Sequence, residues 1–317
     1  MPTKKSNKKP KPETTSLYQF HEMIPDEEAA RLYFEGKRWG DTPCCGHCGS
    51  TNVVETKDHK PMPYRCRDCR KHFSVRTGSV LAESRLGLHK WLMAIYMMTT
   101  ARKGIPSTQM ARELGITQKS AWFLAQRIRE TWLNNKSDDD AGSLSGEVEV
   151  DETYIGGKET NRHASKKLRA GRGTAGKIIV AGIKQRDGNV VTEMLPSTSK
   201  KTLQGFIGRH VKAGTTVYTD DHSSYLDMPY THLTVRHSAK EFVNGMAHTN
   251  GIESFWALLK RGYYGVYHYM SEKHLHRYIN EFANRQNTKD LTTLEFIEAT
   301  AKQIAGKRLT YKELINA

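Results

Sequence analysis

Four cysteines near the N-terminus have the residue type and the spacing of a zinc site. Cys45 and Cys48 form one C-x-x-C pair, Cys66 and Cys69 form a second, and seventeen residues separate the pairs. Tetrahedral zinc takes four thiolates that converge on one point, and two short turns joined by a linker of this length supply them. With five cysteines in all and no secretory signal, a disulfide framework is disfavoured. The sequence therefore predicts a structural zinc ribbon in which the fifth cysteine, Cys44, takes no part.

Three acidic residues are candidates for a second, catalytic metal site. Asp151 and Asp220 are each predicted to end a strand, and Glu253 lies at the start of a predicted helix. Two magnesium ions commonly assist phosphoryl transfer on DNA, and magnesium prefers oxygen ligands. Lys260 follows Glu253 by close to two helical turns and so shares its side of the helix. Taken singly, each is more often a turn, cap or solvated residue; their joint order in a basic chain favours catalysis.

Two neighbouring residues leave this acidic set open. Asp221 adjoins Asp220, and strand alternation alone does not choose between them. Asn250 precedes Glu253 by three residues, which is the spacing of a capping box with Asn250 as the cap.

The elements around the cysteines are short. Residues 1–15 are basic and contain prolines, and they predict a disordered arm. Residues 16–80 predict a helical segment followed by the zinc ribbon, and a further apolar helix is predicted from Gly87 to Thr100.

A pair of helices is predicted between residues 107 and 129. Ser107 and Thr117 are the expected caps, and Gly115 permits a tight turn. The spacing is typical of a helix-turn-helix, whose second helix enters the DNA major groove, although an ordinary helical hairpin has the same apolar pattern. The outward residues of the second helix are expected to be Gln118, Lys119, Gln126, Arg127 and Arg129. Gln118, Lys119 and Arg127 are therefore candidate DNA contacts within a region spanning 81–133.

Composition changes at residues 134–146, which are polar and contain an acidic run, so we expect the main domain boundary there. Beyond it, residues 147–290 predict three strands, a helix, a strand, a helix, a strand and a helix. This order favours an α/β layered domain and fits a ribonuclease H-like fold, as it does several other mixed-sheet folds. Residues 291–317 are expected to form a C-terminal helical extension. The predicted fold class is thus multidomain α+β.

The overall charge favours a polyanionic partner. Lys and Arg number 49 against 34 Asp and Glu, a net charge of +15, which suits nucleic acid first and an anionic membrane surface second. No apolar run reaches the length of a membrane span. We expect a cytoplasmic, nucleoid-associated protein.

The motifs together resemble the zinc-ribbon DDE transposases of bacterial insertion sequences. The resemblance is carried by the cysteine pairs and by four further stretches: Val150–Gly157, Tyr218–Asp220, His248–Gly262, and His268 with Lys273–Asn287. It implies a ribonuclease H-like catalytic domain in which Asp151, Asp220 and Glu253 bind Mg²⁺ or Mn²⁺ and Lys260 contacts DNA near the reacting phosphate. It favours Asp220 over Asp221. Because Asn can occupy the third acidic position in this group, Asn250 is a further candidate beside Glu253.

The resemblance also implies a two-step reaction on double-stranded DNA. Water cuts a phosphodiester at the element's end, and the freed 3′-hydroxyl then attacks target DNA. Zinc is structural in this scheme, and holding two ends implies a homodimer or a larger assembly. Between residues 158 and 173 lies a basic, glycine-containing loop that we expect to bind DNA phosphates, although a merely solvated loop has the same composition. Its candidate contacts are Lys166, Lys167, Arg169 and Arg172.

Two rival functions remain at this point. A nuclease of the same fold would cut without joining, and a zinc-ribbon DNA-binding regulator would bind without cutting.

Overall fold

The computed structural model describes residues 11–56, 58–133, 144–157, 163–167, 174, 176–235 and 248–316. The chain divides into two compact units. The first, here the ribbon unit, comprises Met1–Arg102, Ser107–Thr131 and Thr288–Ala317; the second, the sheet unit, comprises Lys103–Pro106 and Trp132–Asn287. Most of the predicted arm and linker (residues 1–10 and 134–143) lies outside the described residues.

The ribbon unit begins with two capped helices. Ser16 and Gln19 form a capping box at the start of α1 (Leu17–Met23), and the side chain of Asp26 accepts the N–H of Ala29 at the start of α2 (Glu27–Trp39). Such caps satisfy backbone N–H groups that a helix leaves without partners. The predicted helical segment over residues 16–40 is therefore two helices.

Three short antiparallel strands follow and carry the cysteines. They are β1 (Val53–Glu55), β2 (Tyr64–Cys66) and β3 (His72–Phe73), paired in the order β1-β2-β3. Tyr64 and Phe73 face each other in the register, and their rings stack with centroids 5.6 Å apart. Trp39 packs edge-on against both rings, so α2 and the small sheet share one aromatic core.

The predicted helices after the ribbon are confirmed. They are α3 (Leu88–Thr100), α4 (Ser107–Leu114) and α5 (Gln118–Thr131). Gly115 has a φ of +60° in the turn between α4 and α5, a conformation that glycine adopts without steric cost. The hydroxyl of Thr117 accepts the N–H of Ser120 and so caps α5. The apolar face of α5 is almost fully buried and consists of Ala121, Leu124, Ala125 and Ile128.

The prediction that Gln126, Arg127 and Arg129 face outward is wrong. Their exposed fractions are 0%, 4% and 1%. The guanidinium of Arg127 donates to the carbonyl of Ala82 and lies 5.1 Å and 5.2 Å from the ring centroids of Trp91 and Phe123. Aromatic faces and a carbonyl oxygen are suitable partners for a buried guanidinium, so a charged residue here lies inside the unit, and burial lowers its pKa to about 10.

The C-terminal residues complete the ribbon unit. They form α9 (Thr293–Lys302) and α10 (Tyr311–Asn316). Lys37 of α2 pairs with Glu298 of α9 at 2.8 Å, and the N–H of Val80 donates to the carbonyl of Ile304. Tyr311 packs edge-on against Phe123 of α5. Residues 288–317 therefore belong with the ribbon and not with the segment that precedes them.

The sheet unit is built on a mixed five-stranded sheet with the order β6-β5-β4-β7-β8. The strands are β4 (Glu147–Ile155), β5 (Ile178–Gln185), β6 (Val190–Leu195), β7 (Thr216–Asp220) and β8 (Thr231–Val235). β5 is antiparallel to β4 and β6, whereas β7 is parallel to β4 and β8. The predicted strands are confirmed, with two differences.

The first difference is the length of β4, which continues four residues beyond its predicted end at Asp151 because Glu152–Ile155 remain paired with β5. The second concerns the helix predicted between the fourth and fifth strands. That connection holds only a single 3₁₀ turn, Ser223–Tyr225.

Helices cover both faces of this sheet. α6 (Lys200–His210) packs on one face, where Val148, Val150, Leu203 and Phe206 share a buried cluster. α7 (Asn250–Gly262) and α8 (Glu272–Asn287) pack on the other face through a second cluster that includes Trp256. Because alternate residues of a strand face opposite sides, Glu147, Glu149 and Asp151 point toward the α7 face.

None of the helices in the described parts of the chain is both long and apolar enough to cross a membrane.

Candidate metal and catalytic sites

The two cysteine pairs converge as the sequence predicts. The Sγ atoms of Cys45 and Cys69 are 3.7 Å apart, and those of Cys48 and Cys66 are 3.6 Å apart. Zinc–sulfur bonds of about 2.3 Å in a tetrahedron place sulfurs about 3.8 Å apart. Cys44 stands outside the group, with its thiol 3.1 Å from the carbonyl oxygen of Gly49. The donor set and its spacing therefore fit zinc.

The register of two parallel strands brings Asp151 and Asp220 to neighbouring positions. β4 and β7 pair as Glu147 with Thr216 and Glu149 with Tyr218, and the same offset continued two residues sets Asp151 beside Asp220. The pairing ends at Glu149, so the two carboxylates extend from the point where the strands separate. Asp221 follows the end of β7 and does not share this register.

The third carboxylate comes from the first turn of α7. Glu253 is exposed, and its Oε1 accepts a hydrogen bond from the hydroxyl of Thr249 at 2.9 Å. Thr249, not Asn250, is the N-cap of this helix, so the capping box predicted for Asn250 is wrong. Asn250 is the exposed first residue of α7.

A glycine on β5 lets α7 lie close to the sheet. Gly182 is the register partner of Asp151, and a Cβ there would lie 2.7 Å from two ring atoms of Trp256 and 3.0 Å from Ile252 Cδ1. The absence of a side chain at Gly182 therefore brings the helix that carries Glu253 against the strand position next to Asp151.

Charge repulsion at this site is strong. Burial, together with the negative charges of Glu152, Asp220 and Glu253, raises the pKa of Asp151 to about 7. Among the residues that the structure describes, only the four cysteines bring three or more possible metal-ligand atoms within 4.8 Å of one another, so the carboxylates stand more widely apart. A divalent cation would offset their mutual repulsion, and oxygen donors are the ligands that Mg²⁺ and Mn²⁺ take. The carboxylates therefore fit such an ion.

Lys260 is exposed on α7, seven residues after Glu253. At 1.5 Å per residue this separation is about 10 Å along the helix.

Two acidic residues at the site were not among the predicted site residues. Glu152 faces the α6 side of the sheet, where its Oε2 accepts the hydroxyl of Tyr225 at 2.5 Å; burial raises its pKa, and Asp220 adds to the rise. Glu149 is 2% exposed and lies under the start of α7. The alternation of acidic and apolar residues from Glu147 to Asp151 was the available signal, but alternation does not say which carboxylate is buried.

The structure describes some, but not all, of the side chains predicted to contact DNA. Gln118 and Lys119 are exposed at the start of α5, with the Lys119 ammonium 4.6 Å above the ring of Tyr311. Lys167 is exposed after a short 3₁₀ turn. Arg169, Arg172 and the side chain of Lys166 lie outside the described residues, and the burial of Arg127 removes it from this group.

Comparison with known proteins gives matches over both units. Residues 143–287 match the family model described as ISXO2-like transposase domain, and residues 25–72 match the transposase zinc-ribbon domain. An uncharacterized protein in transposable element ISH50 of Halobacterium salinarum is 28% identical over 254 residues, which cover 75% of this chain and 83% of that protein. The matched ranges include the four cysteines and the three candidate carboxylates.

Proposed function

Because the chain carries an ISXO2-like transposase domain and a transposase zinc ribbon, which confirms its predicted resemblance to insertion-sequence transposases, we propose that it cuts and joins DNA by phosphoryl transfer. The observation that carries the proposal is that Asp151 and Asp220 lie just past the paired part of two parallel strands, with Asp220 and Glu253 both close enough to raise the pKa of Asp151. The substrate is double-stranded DNA at the ends of the element and at the target.

The fold supports a ribonuclease H-like assignment for the sheet unit. This fold has a five-stranded sheet in which three antiparallel strands lie beside two parallel ones, with helices on both faces. The sheet unit has this arrangement in the order β6-β5-β4-β7-β8. α4, the Gly115 turn and α5 have the lengths of a helix-turn-helix, and we assign Gln118 and Lys119 at the start of α5 to DNA contact. The exposed Lys167 belongs to the loop that we propose contacts phosphates.

In the proposed mechanism, Asp151, Asp220 and Glu253 hold Mg²⁺ or Mn²⁺. Bound there, the metal supplies activation of the attacking oxygen and stabilisation of the leaving oxygen. Asp151 must lose its proton to serve as a ligand, and Thr249 orients the Glu253 carboxylate by its hydrogen bond. Lys260 binds a phosphate near the reacting group and so orients the strand. Zinc at the four cysteines has a structural role.

The proposed assembly is a homodimer or larger on two DNA ends, acting at the nucleoid in the cytoplasm. This assembly is proposed from the resemblance to insertion-sequence transposases, whose reaction holds two DNA ends together.

The test is an assay that separates cutting from joining. The protein is incubated with Mg²⁺ or Mn²⁺, a labelled duplex containing the element's end, and a plasmid target. We expect a joined product that Asp151→Ala, Asp220→Ala and Glu253→Ala each abolish, whereas Asp187→Asn, in the exposed turn between β5 and β6, retains it.

The other outcomes would replace the proposal with its rivals. Cleaved ends without a joined product would mean a nuclease, and a stable complex without cleavage would mean a DNA-binding regulator. Full joining by Asp151→Ala would show that the site is assigned to the wrong residues.

A further inference from the structure

Glu149 is a buried carboxylate at the start of α7. It lies two residues before Asp151 on the same face of β4 and is 2% exposed. Its Oε2 accepts the backbone N–H of Ile252 at 2.9 Å. Thr249, the N-cap of α7, makes no side-chain cap hydrogen bond. A side chain from the neighbouring strand thus satisfies one of the N–H groups that a helix start leaves without partners.

Arg186, just beyond the end of β5, holds this carboxylate in place. Its Nε lies 3.5 Å from Glu149 Oε1, and its two terminal nitrogens donate to Glu147 Oε2 and to the carbonyl of His248, each at 3.2 Å. The guanidinium also lies 3.9 Å from the ring centroid of Tyr218, whose hydroxyl donates to Glu147. One cation therefore joins β4, β7 and the residue before the N-cap of α7.

The helix start has no spare room against Glu149. A Cβ on Gly251 would lie 2.7 Å from Glu149 Oε2 and 3.2 Å from the side chain of Lys184. The imidazole Nδ1 of His248 is a further 3.2 Å neighbour of Glu149 Oε1. Close contact on several sides fixes the first turn of α7 relative to β4.

We propose that Glu149, held by Arg186, is a positioning residue for the carboxylate site. It fixes where α7 begins, and so sets the place of Glu253, the next residue after Ile252, relative to Asp151 and Asp220. The role of those three carboxylates rests on the proposed function; the anchoring of α7 rests on the contacts alone. The pairing with Arg186 also offsets the negative charge of this buried carboxylate beside the site.

The decisive variant is Glu149→Gln, which keeps an oxygen for the Ile252 N–H but loses the ion pair with Arg186. Glu149→Ala removes both. The matched control is Glu193→Gln, since Glu193 is also a strand glutamate paired with an arginine, Arg209, at 2.8 Å, but on β6 and away from α7. Circular dichroism establishes that each variant is folded.

Two readouts separate positioning from general stability. Hydrogen exchange in a peptide covering residues 249–259 is expected to rise in Glu149→Ala and, less, in Glu149→Gln, and to stay unchanged in Glu193→Gln. Mn²⁺ binding without DNA, measured by electron paramagnetic resonance, is expected to weaken about tenfold in Glu149→Gln, the size found for groups that orient metal ligands. Arg186→Met is expected to weaken it likewise.

The two ideas fail in different ways. If Asp151→Asn binds Mn²⁺ as the wild type does, the proposed metal site is wrong, and the exchange result alone decides the anchoring of α7. If Asp151→Asn loses Mn²⁺ but folded Glu149→Gln binds it with unchanged affinity, the positioning role of Glu149 is wrong. A Glu149→Ala variant that does not fold leaves Glu149→Gln as the test. Unchanged exchange over 249–259 in every folded Glu149 variant overturns the anchoring.

Discussion

At the scale of single residues, Asp151 shows how a site can be built at a cost in stability. The pKa of its carboxyl rises from its ordinary 3.8 to about 7 because it is buried and has three other acidic groups nearby. Between these two values the unfolded chain has lost the proton and the folded chain retains it. The contribution of this one carboxyl to the free energy of unfolding is therefore most favourable below about pH 4 and is lost as the pH rises to about 7. The loss is up to about 4 kcal/mol at roughly 1.4 kcal/mol per pH unit.

Asp151→Asn is accordingly expected to stabilise the sheet unit in buffer without Mg²⁺ or Mn²⁺. The gain should be about 2–4 kcal/mol at pH 8 and should shrink as the pH is lowered toward 5. The measurement is hydrogen exchange of the β4 and β5 amides at increasing urea concentration, which gives the urea midpoint for unfolding of the sheet unit. Asp187→Asn is the exposed control.

Adding Mn²⁺ should stabilise the wild type and leave Asp151→Asn unchanged. A variant no more stable than the wild type at pH 8 would show that the pKa of Asp151 is not raised in the folded protein.

The charge of two arginines also led to a wrong prediction of their exposure. Arg127 and Arg129 were expected outside because charged side chains usually are, yet both are buried. Arg127 lies beside the apolar face of α5, where its guanidinium packs against the rings of Trp91 and Phe123 and donates to the carbonyl of Ala82. Trp91 and Ala82 lie far from Arg127 in the sequence, so the periodicity of α5 alone could not predict that Arg127 is buried.

At the scale of elements, the approach of α7 to the sheet decides where Glu253 lies. Gly182 and Trp256 determine this approach, because the indole occupies the space that a side chain at position 182 would need. The sequence predicted α7 and β5 separately, and it predicted the order of carboxylates. It could not predict that a glycine in β5 matters, since the partner lies more than seventy residues away.

Gly182→Ala is expected to destabilise the sheet unit by about 1–3 kcal/mol, the usual range for overpacking a filled core. The emission of Trp256 should shift as the indole moves, and Mn²⁺ binding should weaken with it. Urea unfolding and fluorescence measure both effects.

The control is Gly208→Ala in α6, where a Cβ would meet nothing within 4 Å. That change should be neutral or stabilising, since alanine is favoured over glycine in a helix. Equal stability of Gly182→Ala and the wild type would show that α7 can shift at little cost.

Strand ends were the other limit on prediction. Asp151 was expected to end β4, but the strand continues to Ile155. It is the pairing of β4 with β7 that ends near Asp151. The pattern of residues in β4 cannot show where this pairing ends, because the pairing also depends on β7. The positions of the candidate carboxylates along the chain could be proposed from the sequence, but the pairing that brings Asp151 beside Asp220 depends on tertiary structure.

At the scale of the whole molecule, the two units should respond differently to loss of zinc. The cysteine cluster belongs to the ribbon unit, whose small sheet has strands of only two or three residues. We therefore expect this sheet to depend on a bound metal for its stability. A zinc-selective chelator should raise hydrogen exchange over residues 45–73 at least about tenfold, while peptides from β4 and β5 stay protected.

Cys48→Ser should reproduce the effect of the chelator, and Cys44→Ser should not. Metal analysis should give about one zinc per chain, because four thiolates hold one ion. Unchanged exchange over the ribbon after zinc is removed would mean that the cluster is not a structural metal site.

The place of residues 288–317 has a consequence for synthesis of the protein. The ribbon unit is interrupted by Trp132–Asn287 and is completed only by the last segment of the chain, where Phe296, Ile297 and Ala301 are buried. A ribosome thus delivers α9 after the entire sheet unit, and a product that terminates early lacks it. We expect a nonsense mutation anywhere in the sheet unit to leave the ribbon unit incomplete as well, so that shortened copies of the gene do not yield a stably folded ribbon unit.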